Sequence, residues 1–253
     1  MTGAGIDIGS RTIKVVVVRD GGVIYSKKTE NTFDTLAACR HLLDGIKYDT
    51  ITATGYGRNL FAEHSPCTTI SEIKAFSLGA AFMLPTCRTV LDIGGQDTKV
   101  IALDEKGRMK KFEMNDKFAA GTGRFLEIMA MALGFRLDDF GREALSANGS
   151  VQVSSMCAVF AESEVVSLIA HGAERKAVAN GVHRAVANRA ATLLGRVSAE
   201  DDILFAGGVA YNPCIHQMLC DQLKKKVHVT GDPQIIGAIG AALHSLDSRS
   251  GVL

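Results

Sequence analysis

An α/β fold built from two related halves is the architecture this sequence predicts. Three observations carry that expectation. Residues 5–14 (GIDIGSRTIK) and 90–99 (VLDIGGQDTK) align without a gap at an offset of 85 positions, so that Asp7 matches Asp92, Ile8 matches Ile93, Gly9 matches Gly94, and Lys14-Val15 matches Lys99-Val100. Each core is followed by a second apolar run, a turn (Arg19-Asp20-Gly21-Gly22 or Asp104-Glu105-Lys106-Gly107) and a further strand-like segment. Each copy therefore reads strand–turn–strand–turn–strand, with Asp-Ile-Gly at its first turn. After each copy, apolar residues recur at helical spacing between short strand-like runs.

In chain order, residues 1–28 read as three antiparallel strands. Residues 34–46 read as an amphipathic helix with Leu36, Cys39, Leu42, Leu43 and Ile46 on its inner face. A short strand at 50–53 leads into Thr54-Gly55-Tyr56-Gly57-Arg58, and a helix at 71–83 stops before Pro85. The second copy supplies strands at 89–93, 97–103 and 108–114. Helices are expected at 121–133, 138–145, 158–171 and 174–196. A strand at 202–206 feeds Ala206-Gly207-Gly208-Val209, followed by a helix at 213–224, a strand at 226–229 and a last helix from Gly237 to about residue 247. No low-complexity linker separates the halves, which implies a tight hinge rather than a tether. The expected division is residues 1–86, with 235–253 packing back on them, and residues 87–234.

At 253 residues the chain is long enough for two domains with a substantial core. With 47% hydrophobic residues, 22% charged residues and a formal charge of +1, it has the balance of a compact soluble protein. The lack of a basic excess or of aromatic clusters argues against nucleic acid as a partner. No apolar run approaches the ~20 residues that span a bilayer, and the N-terminus enters a strand almost at once; the cytoplasm is the expected compartment. Six cysteines, at 39, 67, 87, 157, 214 and 220, show neither a C-x-x-C pair nor a zinc spacing. Cys214 and Cys220 lie six apart on an expected helix, hence on different faces.

Several glycine elements point to phosphate chemistry. Glycines let backbone N–H groups approach a phosphate closely, and paired carboxylates hold a hydrated divalent cation, here Asp7 and Asp92 with Mg²⁺. The first candidate loop contains Gly9, Ser10, Arg11 and Thr12, adding two hydroxyls and a cation to the backbone donors. The second has consecutive glycines, Gly94 and Gly95, followed by Gln96 and Asp97, residue types that orient or deprotonate a water attacking a terminal phosphate. Gly121, Thr122 and Gly123 open an expected helix whose free amides suit an anion. Gly207, Gly208, Val209 and Asn212 follow a buried strand, where small residues let a flat ring rest on the backbone. The small-residue run 237–242 (GAIGAA) reads most simply as a close helix contact. The two acids are expected to line a surface cleft and to carry little packing.

This ordered set resembles the acetate/sugar kinase, Hsc70 and actin superfamily over nearly the whole chain, which implies a two-domain actin-like ATPase with duplicated ribonuclease H-like domains. The resemblance sharpens in residues 53–59 (ATGYGRN), 92–99 (DIGGQDTK), 114–127 (MNDKFAAGTGRFLE) and 154–165 (SSMCAVFAESEV). These look like the BadF/BadG/BcrA/BcrD-type ATPases: activators (component A) of 2-hydroxyacyl-CoA dehydratases and ATPase subunits of benzoyl-CoA reductases. The resemblance implies ATP and ADP as ligands in a cleft that closes on ATP and reopens on hydrolysis. It also implies a homodimer, an electron donor such as ferredoxin or flavodoxin, and one-electron transfer to the dehydratase or reductase. In that family a 4Fe–4S cluster sits at the subunit interface, held by two cysteines per subunit, each before a helix. Cys157 matches one ligand position. The other is Phe118 here, which departs from the pattern and leaves three readings: an unconventionally ligated cluster, a weak or lost one, or an interface with another task. Glu162 and Glu164 follow Cys157 on the same expected helix, facing either its N-terminal dipole or the nucleotide. Two rivals stand beside this reading: a small-molecule kinase of the same superfamily, for which no acceptor-pocket insertion is visible, and a cluster-free nucleotide switch.

Overall fold

The structure is a computed structural model that describes residues 1–115, 121–154, 158–197 and 199–247. The chain forms two compact units: Met1–Cys87 with Leu103–Lys110 and Thr230–Leu253, and Arg88–Ala102 with Lys111–Val229.

In the first unit the strands are β1 (Thr2–Ile8), β2 (Thr12–Arg19), β3 (Gly22–Glu30), β4 (Thr50–Thr54) and β5 (Thr68–Thr69). They hydrogen-bond in the order β3-β2-β1-β4-β5. Helix α1 (Thr35–Leu43) follows β3, α2 (Arg58–His64) follows β4, and α3 (Glu72–Met83) follows β5. The second copy supplies β6 (Thr89–Ile93), β7 (Thr98–Leu103) and β8 (Met109–Met114). Helices α4 (Gly123–Ala132), α5 (Leu137–Leu145), α6 (Ala158–Ala170) and α7 (Arg175–Arg196) come next. Then follow β9 (Ile203–Ala206), a 3-10 turn (Gly208–Tyr211), α8 (Pro213–Leu223), β10 (Val227–His228) and α9 (Ile236–Asp247). The second sheet runs β10-β9-β6-β7-β8. Element for element this is the order of the first, so the duplication seen at the Asp-Ile-Gly turns governs whole sheets.

Strand β2 shows why the first sheet needs helices on both faces. Its run Val15-Val16-Val17-Val18 is buried throughout, as expected of a strand covered on two sides. Val15 and Val17 pack with Cys39, Leu42 and Phe61 from α1 and α2, while Val16 and Val18 pack with Ala238, Ile239 and Ala242 of α9. Each such side chain contributes about 1.5–3 kcal/mol through burial. The small residues of α9 act as a contact stripe: a Cβ on Gly5 would run into the α9 backbone at Ala238 and Ala242. Glycines at 79 and 240 let α3 and α9 cross at the same closeness. In the second unit one core joins the sheet residues Leu91, Ile93, Val100 and Phe205 to Phe125, Phe140, Val186, Leu194 and Ile215 on the surrounding helices.

Three details depart from the sequence expectation. Helix α1 ends at Leu43 rather than 46, because Gly45 takes a positive φ of 74° that leaves the helical region. Helix α2 and strand β5 appear where the sequence showed only a loop. Between β9 and α8 the chain makes the 3-10 turn before the helix begins at Pro213.

Candidate active site

Each unit carries the same small device at the end of its first strand. In the first, β1 and β2 pair so that Asp7 lies opposite Lys14; in the second, β6 and β7 pair so that Asp92 lies opposite Lys99. Lys14 Nζ is 3.2 Å from Asp7 Oδ2, and Lys99 Nζ is 3.5 Å from Asp92 Oδ2 and 2.7 Å from Asp97 Oδ1. The turns close alike: Gly9 N donates to Thr12 O at 3.1 Å, and Gly94 N donates to Asp97 O at 3.0 Å. An asparagine after the third strand fastens each loop. Asn31 Nδ2 donates to Gly9 O at 2.8 Å, and Asn115 Oδ1 accepts from Thr98 N at 2.7 Å.

A third strand completes the device. Strand β4 lies parallel to β1 and pairs Thr54 with Asp7; β9 lies parallel to β6 and pairs Ala206 with Asp92. The next residue in each case is a glycine at positive φ, Gly55 at 87° and Gly207 at 85°. A Cβ on Gly55 would come within 2.6 Å of Asp7 Oδ1, and one on Gly207 within 2.5 Å of Asp92 Oδ1. Each acid is thus held by a lysine from one neighbouring strand and backed by bare glycine backbone from the other.

This geometry corrects one expectation. Asp7 and Asp92 are not surface-cleft acids: they are 5% and 3% exposed, on central strands where a carboxylate persists only with a partner. The sequence alignment already paired Lys14 with Lys99, but no role followed from it; the signal was the fixed spacing of seven from each aspartate across a tight hairpin. Gly55 was overlooked for a similar reason, since its equivalence to Gly207 needs the parallel β1–β4 and β6–β9 registers.

The remaining candidates divide by what already engages them. Asp97 is buried and its Oδ1 is held by Lys99, whereas Gln96 is half-buried and makes no hydrogen bond among the described residues. Ser10 and Thr12 are half-buried and Arg11 is exposed at the tip of the first turn. Gly95 sits at the corresponding tip in the second unit, and its carbonyl accepts from Arg124 N at 2.9 Å. Gly123 N donates to Gly94 O at 2.8 Å, and Thr122 Oγ1 accepts from Phe125 N at 3.4 Å. The start of α4 therefore does not offer free amides to an anion, as the sequence suggested. Its first N–H groups fasten the second loop instead. Gly121 adopts a φ of 125°, and its carbonyl accepts from Thr98 Oγ1 at 2.6 Å. Beyond Gly207, Gly208 and Val209 belong to the 3-10 turn, and the Asn212 side chain caps α8 by accepting from Cys214 N and Ile215 N.

On α6, Glu164 Oε1 accepts from Ser154 N and Oγ at 3.0 and 2.9 Å, and Glu162 is exposed. Cys157 and Phe118 lie outside the described residues. Of the other thiols, burial pushes Cys39 up to about 11 and Cys214 up to about 12, and it also raises Cys67. Among the described residues no group of three or more His, Cys, Asp or Glu side chains is placed to hold a metal ion directly. No helix among them is long and apolar enough to cross a membrane.

The chain is similar along nearly its whole length to known proteins. The chain is 42% identical over 253 residues to an activator of lactoyl-CoA dehydratase from Anaerotignum propionicum, covering 96% of this chain and 97% of that one. The solved structure of the activator of 2-hydroxyisocaproyl-CoA dehydratase from Clostridium difficile, with bound ADPNP, superposes with a TM-score of 0.89 at 35% identity, covering 100% and 98% of the two chains. A ROK family glucokinase from Streptomyces griseus, in complex with glucose and AMPPNP, gives a TM-score of 0.62 at 13% identity over 98% and 100% of the chains, a likeness of fold alone. Both sheets and their order thus belong to a two-domain, actin-like ATPase fold. The model of the BadF/BadG/BcrA/BcrD ATPase family matches residues 4–245, and the chain belongs to that family.

Proposed function

We propose that this chain is an ATP-hydrolysing activator that couples nucleotide-driven conformational change to one-electron transfer into a 2-hydroxyacyl-CoA dehydratase or a related acyl-CoA reductase. One observation carries the reading: the same lysine-paired, glycine-backed aspartate occurs once in each unit of a chain similar along its length to dehydratase activators. In this reading one ATP engages both turns. Gly9, Ser10, Arg11 and Thr12 take one part of the phosphate chain, Gly94 and Gly95 approach the terminal phosphate, and Gly207, Gly208 and Val209 lie against adenosine. Gln96, whose amide makes no hydrogen bond among the described residues, orients the attacking water. Its oxygen bonds to the terminal phosphorus as the bond to the ADP oxygen breaks. Asp97 holds Lys99 and leaves the water to Gln96.

The donor set suits Mg²⁺, which takes one or two carboxylates plus substrate phosphates and keeps several waters. Asp7 and Asp92 would hold it through water, and the buried Thr54 Oγ1, which has no partner among the described residues, sits beside Asp7 in register. When bound, Mg²⁺ neutralises charge on the phosphates. Residues 1–86 with 235–253, and residues 87–234, are proposed as the bodies that close and reopen.

The residue set does not fit the four-thiolate cluster of the family. Phe118 stands at one of the two ligand positions, and burial keeps the thiols of Cys39 and Cys214 protonated. Phe118, a residue that cannot ligate iron, favours a second reading, a cluster-free nucleotide switch. Anaerobic purification with iron and sulfide analysis separates the two. The activator reading expects iron and sulfide held with an unconventional ligand in place of a thiolate at position 118, and ATP-dependent activation of a dehydratase or benzoyl-CoA reductase-like partner by a reduced ferredoxin or flavodoxin. The switch reading expects an iron-free dimer, with iron uptake gained by Phe118→Cys. Phosphate transfer from ATP to a sugar would contradict both.

A further inference from the structure

We infer that His183 is a positioning residue for nucleotide binding: through Asn212 it fixes the turn of residues 207–212, the segment assigned above to adenosine. The inference rests on that assignment. His183 lies on α7, fully buried, with the Phe140 ring centroid 4.5 Å away and Val182 and Val186 as neighbours in the core. Packing alone would favour an aliphatic side chain at such a position. An imidazole there must instead satisfy both nitrogens.

The partners determine the proton. His183 Nδ1 is 2.7 Å from the Ala179 carbonyl, which only accepts, so Nδ1 carries the hydrogen. Nε2 is then bare, and it accepts from Asn212 Nδ2 at 3.0 Å. That bond settles which end of the Asn212 amide is which. Its Oδ1 accepts from Cys214 N at 3.0 Å and Ile215 N at 3.1 Å. The backbone is tied as well: Asn212 N donates to Val209 O at 2.9 Å, and Asn212 O accepts from His216 N at 3.2 Å. Helix α5 closes over the amide, because a Cβ on Gly141 would fall 2.5 Å from Asn212 Oδ1. A continuous line of hydrogen bonds thus runs from α7 through one imidazole and one amide to the turn beyond β9. Burial holds His183 down at about 4, so the imidazole stays neutral and Nε2 stays an acceptor near neutral pH.

The test compares His183→Leu, which removes the acceptor, with His183→Gln, which keeps an amide oxygen near the Nε2 position. Binding of ADP and of inorganic triphosphate is measured by calorimetry. His183→Leu should weaken ADP on the order of tenfold, the effect of leaving one buried amide unpaired, while triphosphate binding is unchanged; His183→Gln should restore most of the loss. Equal effects on both ligands, or no effect on either, would overturn the inference. Gly208→Val tests the underlying assignment separately. If it weakens ADP and His183→Leu does not, the relay alone is wrong; if ADP binding is indifferent to Gly208→Val, the adenosine assignment fails and takes the inference with it. Should His183→Leu not fold, imidazole nitrogen spectra of the native protein decide. They should show a protonated Nδ1 and a bare Nε2 whose resonance shifts with ADP and not with triphosphate. A protonated Nε2, or a resonance blind to ADP, would sink the proposal.

Discussion

Replacing Gly207 by alanine should damage stability and catalysis together. Its φ of 85° with a ψ of 175° lies in a region essentially confined to glycine, which costs a residue with a Cβ about 1–3 kcal/mol. The added Cβ would also stand 2.5 Å from Asp92 Oδ1, nearly 1 Å short of ordinary contact, with the Ile93 carbonyl closer still. Relieving that overlap in a packed site costs about 1–3 kcal/mol more, for a total of about 2–6 kcal/mol. Gly172 supplies the control. Its φ of 87° is also positive, but nothing lies within 4 Å of its Cβ position, so Gly172→Ala incurs a backbone cost without a clash. Urea unfolding compares a crowded with an open positive-φ glycine, and ATPase assays across Mg²⁺ concentrations report whether Asp92 has moved. Gly207→Ala should be the less stable variant and should require more Mg²⁺; Gly172→Ala should retain native Mg²⁺ dependence. If the two variants match in both measurements, glycine backing of the carboxylate is not what holds it in place.

Acid should destabilise the fold through His183. Its folded value of about 4 lies below the ordinary 6.5, so between these limits the unfolded chain binds more protons. The contribution is complete above pH 6.5 and is lost as the pH falls towards 4, about 3 kcal/mol in all. His183→Gln should lack that component, so unfolding curves of native and variant that shift in parallel from pH 7 to 4.5 would refute it. Lys99→Met leaves Asp92 and Asp97 buried without their shared cation and should cost about 3–5 kcal/mol in chemical unfolding; Lys14→Met, at a less enclosed pair, should cost less. Gln96→Ala should lower turnover by about 10²–10⁴ with nucleotide affinity little changed, and an equal loss of both would indicate a structural role.

The fold was legible where local pattern and tertiary context agree. Strands β1 and β6 announced themselves through the shared Asp-Ile-Gly turn, and α7 through its length. The elements that were missed are those with little pattern to read. Helix α2 buries only Phe61, and β5 consists of two exposed threonines held by β4. Within the site, the glycine turns were visible as composition, but their use was not. The first amides of α4 looked free in sequence because their acceptors, Gly94 O and Gly95 O, lie almost 30 residues upstream. Lys14 and Lys99 were visible as matching positions, but carried no role until the hairpin register placed each across from its aspartate. The His183–Asn212 bond spans 29 residues and two helices, and no spacing rule exposes it.

Mg²⁺-dependent ATP hydrolysis by the native chain and by Asp7→Asn and Asp92→Asn tests the duplicated half-sites most directly. Both acids are buried and lysine-paired, so each variant is first checked for a native circular dichroism spectrum and rates are compared on folded protein. The native chain should hydrolyse ATP only with a divalent cation, and each substitution should lower the rate on the order of a hundredfold if both carboxylates serve the proposed site. Folded Asp7→Asn and Asp92→Asn proteins that hydrolyse ATP at the native rate, with the native Mg²⁺ requirement, would contradict it.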